Sequence, residues 1–198
     1  MKIDFAQMSE AGPRKENQDS VVVDSDEKGA FLFVVADGLG GHKGGKEASN
    51  IAAEMLKEDF GVTSDIWSAT SFNELARDGQ DAARHNRLNP LADKQVPYVT
   101  TMLNKATGPV IAATDYMKNY AEQIRAFVPN DYTVLGTDGF GRSDSRVNLR
   151  RFFEVDANHI AAAAMTSLFE AGAITKADMQ SALTKYDIDG DKPNPRLV

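Results

Sequence analysis

Residues 30–41 read AFLFVVADGLGG. From Ala30 to Ala36 every side chain is apolar, with no alternation. A half-buried strand alternates, so this run predicts a strand covered on both faces. Asp37-Gly38 ends it, and more glycines follow up to Gly45. Residues 46–60 then place Ala48, Ile51, Ala52, Met55, Leu56 and Phe60 at the i, i+3, i+4 spacing of an amphipathic helix, which Gly61 stops. The next strand is DIWSA, residues 65–69. Strand, glycine turn, helix and strand in this order call for a βαβ unit with parallel strands.

Further along, the alternation continues. Residues 71–87 predict a helix opened by a Ser71…Glu74 capping pattern. A short helix is expected over 97–104, and residues 89–97 read as an exposed loop. VIAAT (110–114) and YTVLG (132–136) are strands. Asp115 is placed to cap a helix over 116–127. Residues 143–153 read as helical, with Ser143 or Asp144 as the cap. Asp156 caps an alanine-rich helix over 157–171, and Thr175…Asp178 opens the last, over 175–185. Residues 192–198 form a proline-bearing tail. The expected fold is α/β, a three-layer sandwich with a mostly parallel sheet. Upstream, residues 2–8 and the valines Val21–Val23 suggest short strands, read as an N-terminal β-ribbon appendage.

Composition narrows the function. The chain has 198 residues, a net charge of −7 and no cysteine. The acidity argues against nucleic-acid backbone binding. Without cysteine there is no disulfide, thiolate metal site or thiol nucleophile. No apolar run reaches the ~20 residues of a membrane span, and MKIDFAQMSE lacks the apolar core of a signal peptide. The sequence therefore reads as cytoplasmic.

Two patterns near the start carry chemistry. R-x-x-N-Q-D is present as Arg14, Asn17, Gln18 and Asp19, and A-D-G-x-G-G-H as residues 36–42. Together they resemble the opening of the type 2C metal-dependent serine/threonine phosphatases. That class holds two divalent metals, Mn²⁺ or Mg²⁺, which activate a bridging water and clamp the phosphate. The resemblance implies that Asp37 and the Gly38 carbonyl bind metal, that Asp19 belongs to the same carboxylate cluster and that Arg14 holds phosphate. Two carboxylates and one carbonyl do not close a dinuclear oxygen-ligand site, so a weak or inactive phosphatase is the most this segment supports. GLGGHKGG (38–45) also sits where a nucleotide phosphate loop would, after a strand and before a helix. It lacks a secure G-x-G-x-x-G spacing, and the next strand offers no acidic partner for a ribose. Asp138-Gly139 mimics a later phosphatase motif with the wrong flanks.

Residues 61–198 carry a different signature: SFNELARDGQD (71–81), TDYMK-x-x-AEQIR (114–125), VLGTDGFGRSDSR (134–146) and K-x-NPRL ending at Leu197. These runs resemble the C-terminal domain of the bacterial homodimeric pyruvate dehydrogenase decarboxylase, itself similar to the transketolase C-terminal domain. The resemblance implies a family that uses thiamine diphosphate with Mg²⁺ to decarboxylate pyruvate and pass acetyl to a lipoyl group on an acyltransferase core. It also implies that the cofactor lies between two preceding domains, and that this third domain supports a dimer and the acyltransferase-facing surface.

The residues agree with a non-catalytic reading. His42, His85 and His159 are scattered and form no metal-ligand pattern. Asp187, Asp189 and Asp191 are spaced wrongly for a calcium loop. The most polar stretch is GTDGFGRSDSR (136–146), where Asp138, Arg142, Asp144 and Arg146 are candidate contacts for an anion or a partner. The plainer alternative is a self-satisfied loop of Asp–Arg pairs and helix caps. The sequence thus divides into a phosphatase-like segment, 1–50, whose strand 30–36 completes the sheet, and a decarboxylase-like domain, 51–198, with the junction inside the helix at 50–60. The reading is a chimeric or truncated chain without catalysis or cofactor of its own, with a structural or assembly role, as homodimer or acyltransferase partner.

Overall fold

Val110–Ala113 (VIAA) is buried at every position and lies in the middle of the molecule. The structure, a computed structural model, describes residues 32–36 and 44–198. The readings on residues 1–31 and 37–43, the β-ribbon among them, lie outside the described residues. Among the described residues four strands form one sheet: β1 (Leu32–Ala36), β2 (Ser64–Ser68), β3 (Val110–Ala113) and β4 (Tyr132–Leu135). The order is β2-β1-β3-β4, and every pairing is parallel. Val34 is in register with Ile66 on one side and Ile111 on the other, so β1 is flanked on both edges. The helix α1 (Gly44–Phe60) links β1 to β2. The chain then passes β1 to reach β3, which reverses the direction of winding between β1 and β3.

Strand alternation divides the core in two, because successive side chains point to opposite faces. Ile111 and Ala113 join Ala52, Leu56 and Val62 and the buried faces of α6 (Ala157–Glu170) and α7 (Lys176–Lys185). Val110 and Ala112 join Tyr132 and Val134 with Phe72 and Ala76 of α2 (Phe72–Leu88) and Val99 and Leu103 of α3 (Tyr98–Leu103). Helices therefore cover both faces, in three layers. The buried line of α1 runs through Ser49, Ala52 and Leu56, whereas Ile51 is exposed. The 3.6-residue period leaves a neighbouring position to choose between, and α6 packs against the Ser49 side.

Local chemistry fixes the helix ends. Ser71 accepts a hydrogen bond from the Glu74 amide, while the Glu74 side chain pairs forward with Arg77. The reciprocal box forms instead at α7, where Thr175 and Asp178 each accept from the other's backbone. Pro97 has no capping side chain, and Asp78 of α2 accepts from the Tyr98 amide at 2.6 Å in its place.

The expected helix over 116–127 does not form. Only α4 (Asn119–Glu122) and a 3₁₀ turn, Arg125–Phe127, are helical there. Asp115 caps neither, because its carboxylate is bound to Arg150, 35 residues on. α5 (Arg146–Phe152) also starts later than expected. Its cap is Ser145, which accepts from the Asn148 amide at 3.3 Å. The tail is anchored: Lys192 Nζ donates to the carbonyls of Arg151 and Phe152, and Pro195 is buried against Gly139.

Candidate functional site

Beyond the carboxyl ends of β3 and β4, two loops and α5 enclose a cleft of about 290 Å³. Asp115 follows β3, Thr137 and Gly139 follow β4, and Arg142, Arg146 and Arg150 come from the last loop and α5. The loops approach closely because Gly136 has no side chain. A Cβ there would stand 2.7 Å from both the Lys118 amide nitrogen and the Tyr116 carbonyl oxygen. Thr137 fastens the contact, its amide donating to the Tyr116 carbonyl and its hydroxyl to that of Asp115. Gly139 sits at φ 133° with the Pro195 carbonyl 2.8 Å from where a Cβ would be, so glycine is required for the tail to dock.

The charged side chains of the loop have separate roles. Asp138 accepts from the Lys118 amide at 3.1 Å. Asp144 accepts from the Ser145 amide and from Asn148 Nδ2, and these bonds, the Asn148 one foremost, hold its carboxyl below the ordinary value. Arg142 lies over the Phe152 ring, 4.1 Å from its centroid. Arg150 makes a two-pronged contact with Asp115, Nε to Oδ1 at 3.2 Å and Nη2 to Oδ2 at 2.7 Å. Of the four candidates, Arg142 and Arg146 line the cleft, while Asp138 and Asp144 serve as structural acceptors beside it. The sequence reading missed Asp115 and Arg150. The i, i+4 spacing of Arg146 and Arg150 on one helix was the signal available. Arg14, Asp19, Asp37 and Gly38 lie outside the described residues.

A larger, mainly apolar cavity of about 570 Å³ lies between β2, α2 and α3, lined by Trp67, Leu75, Val99, Met102 and Ile124 among others. None of the described candidate residues lines it. His159 is occupied at the start of α6, its Nδ1 2.5 Å from Asp156 Oδ1. Among the described residues no three His, Asp or Glu side chains converge to hold a metal.

Residues 47–156 match the family of transketolase-like C-terminal domains. The chain is 56% identical over 148 residues to the pyruvate dehydrogenase E1 component of Escherichia coli (strain K12) and 52% identical over 147 residues to that of Cupriavidus necator. The Pseudomonas aeruginosa E1 component is 53% identical over 145 residues. These alignments cover 73–74% of this chain but 16% of each relative. The chain thus spans about a sixth of the length of the curated relatives it matches. Among solved structures, a split gene transketolase described as an inactive beta4 tetramer aligns at TM-score 0.43 and 19% identity, over 72% of this chain and 39% of that one.

Proposed function

This chain belongs to the family of transketolase-like C-terminal domains, with homology to the C-terminal part of pyruvate dehydrogenase E1 components, and from that premise we propose that it is a non-catalytic assembly module. In this reading residues 51–198 correspond to the third domain of a thiamine-diphosphate-dependent decarboxylase, the part that supports assembly. The observation that carries the proposal is identity above 50%, over 147–148 residues, to pyruvate dehydrogenase E1 components within a match to transketolase-like C-terminal domains. The charged cleft adds support, because its carboxylates are tied to arginine or amide donors rather than paired for acid–base work. Titration calorimetry with thiamine diphosphate and Mg²⁺ should give no saturable heat. Stoichiometric binding would overturn the reading.

The assembly role rests on exposed apolar surface. Asn86 and Gln95 exchange hydrogen bonds of 2.8 and 2.9 Å and hold the loop between them closed. Leu88, Leu91, Val96 and Tyr98, in and beside that loop, are more than half exposed, Leu91 fully. An ordered apolar patch of this kind marks an interface. The proposal is a homodimer, with a lipoyl acyltransferase core as the heterologous partner. Light scattering on the purified chain should give twice the 21.5 kDa monomer mass, and a monomer at high concentration would contradict it.

The same proposal covers the origin of β1. The family match starts at residue 47, inside α1, so β1 lies outside it although it is flanked on both edges. We take residues 1–50 as a truncated phosphatase-like segment that lends this strand to the sheet. The phosphatase alternative is tested with p-nitrophenyl phosphate and Mn²⁺. The account predicts no hydrolysis, and a metal-dependent rate abolished by Asp37→Ala would replace it.

A further inference from the structure

We propose that the arginine-lined cleft at the carboxyl edge of the sheet binds a small organic phosphomonoester. Among the described residues three guanidinium groups and one carboxylate line it, a local excess of positive charge in a chain of net charge −7. Oppositely signed concavities of this kind concentrate anions. Two of the three cations are already positioned. Arg150 is held by Asp115, and its side chain is only 13% exposed. Arg142 is held over Phe152. Arg146 stands one helical turn before Arg150 on the same side of α5 and lines the same cleft. Among the described residues no carboxylate forms an ion pair with Arg142 or Arg146, so a dianion brings the charge that these two do not yet meet. Arginine forks suit phosphate oxygens geometrically as well as electrostatically.

The position has independent support. In open parallel sheets ligands bind outside the carboxyl ends of the strands, and the cleft lies at that edge, beyond β3 and β4. Leu149 and Phe153 also line it, with Gly139 and Gly141 along the loop. A Cβ at Gly141 would meet nothing within 4 Å, so the loop leaves room there. An apolar wall beside a cationic end suits an organic group carrying one phosphate. A volume near 290 Å³ limits that group to a small one.

The test is titration calorimetry of the full chain at low ionic strength and pH 8, with inorganic phosphate and phenyl phosphate as probes. Both should saturate at one site per chain, phenyl phosphate at least threefold tighter. Arg146→Ala should weaken phenyl phosphate at least tenfold without moving the thermal midpoint, because the side chain is exposed. Arg77→Ala, an exposed α2 arginine away from the cleft, should leave binding unchanged. Absence of saturation, equal loss in both variants, or equal affinity for the two probes would each overturn the proposal.

Discussion

Gly79, in the middle of α2, lies directly under the ring of Phe127. A Cβ built on it would stand 2.6 Å from the ring Cγ and closer still to the ring edge. Glycine in a helix interior costs about 1 kcal/mol relative to alanine, so helix propensity alone makes Gly79→Ala stabilising. The contact reverses the sign. Overpacking a filled core costs about 1–3 kcal/mol, and Gly79→Ala should therefore lower stability in urea denaturation. In a Phe127→Ala background the same change should become neutral or stabilising. A stabilising Gly79→Ala in the otherwise unchanged protein would show that the ring does not sit there.

The Asp115–Arg150 pair joins the loop after β3 to α5. Because Asp115 is about half exposed, its contribution is discounted to about 1 kcal/mol. Arg150→Lys keeps the charge and loses the two-pronged geometry, so it should lose most of that stability. Asp115→Asn should lose less, since an amide oxygen still accepts from the guanidinium. Equal stability of all three proteins in urea would remove the pair from the account.

Asp156 caps α6 and makes stability depend on pH. Burial opposes its ionisation, but the His159 side chain and amide, with Arg151 nearby, outweigh that and hold the carboxyl below its ordinary value. A lowered folded-state value gives stability that is present above the unfolded value, about 3.9, and is lost as the pH falls below it. Asp156→Asn retains a good capping side chain and removes the titrating group. Thermal midpoints from pH 6 to pH 2.5 should fall more steeply in the unchanged protein than in Asp156→Asn below pH 4. Parallel curves would contradict this.

Much of the scaffold was legible because its signals are local. VIAA shows no alternation and is buried on both sides. Asp156 stands immediately before an alanine-rich run and caps it. The failures were non-local. Asp115 has the form of a helix cap, but Arg150 competes for its carboxylate from 35 residues away, and no window around residue 115 contains that information. Ser143, Asp144 and Ser145 all have capping side chains, and backbone geometry selects Ser145. In the cleft, Arg142 and Arg146 were visible as part of a polar run. Arg150 was hidden within what read as an ordinary helix face, and its pairing with Asp115 joins segments 35 residues apart.

Residues 32–36 supply a strand inside a domain whose family match begins only at residue 47. Amide hydrogen exchange read by mass spectrometry reports whether that strand is paired. A strand paired on both sides exchanges only through large-scale opening, so the amides of Leu32–Ala36 should be protected as strongly as those of Val110–Ala113. Rapid exchange at Leu32–Ala36 alongside full protection at Val110–Ala113 would mean that the domain folds without β1, and would contradict the account.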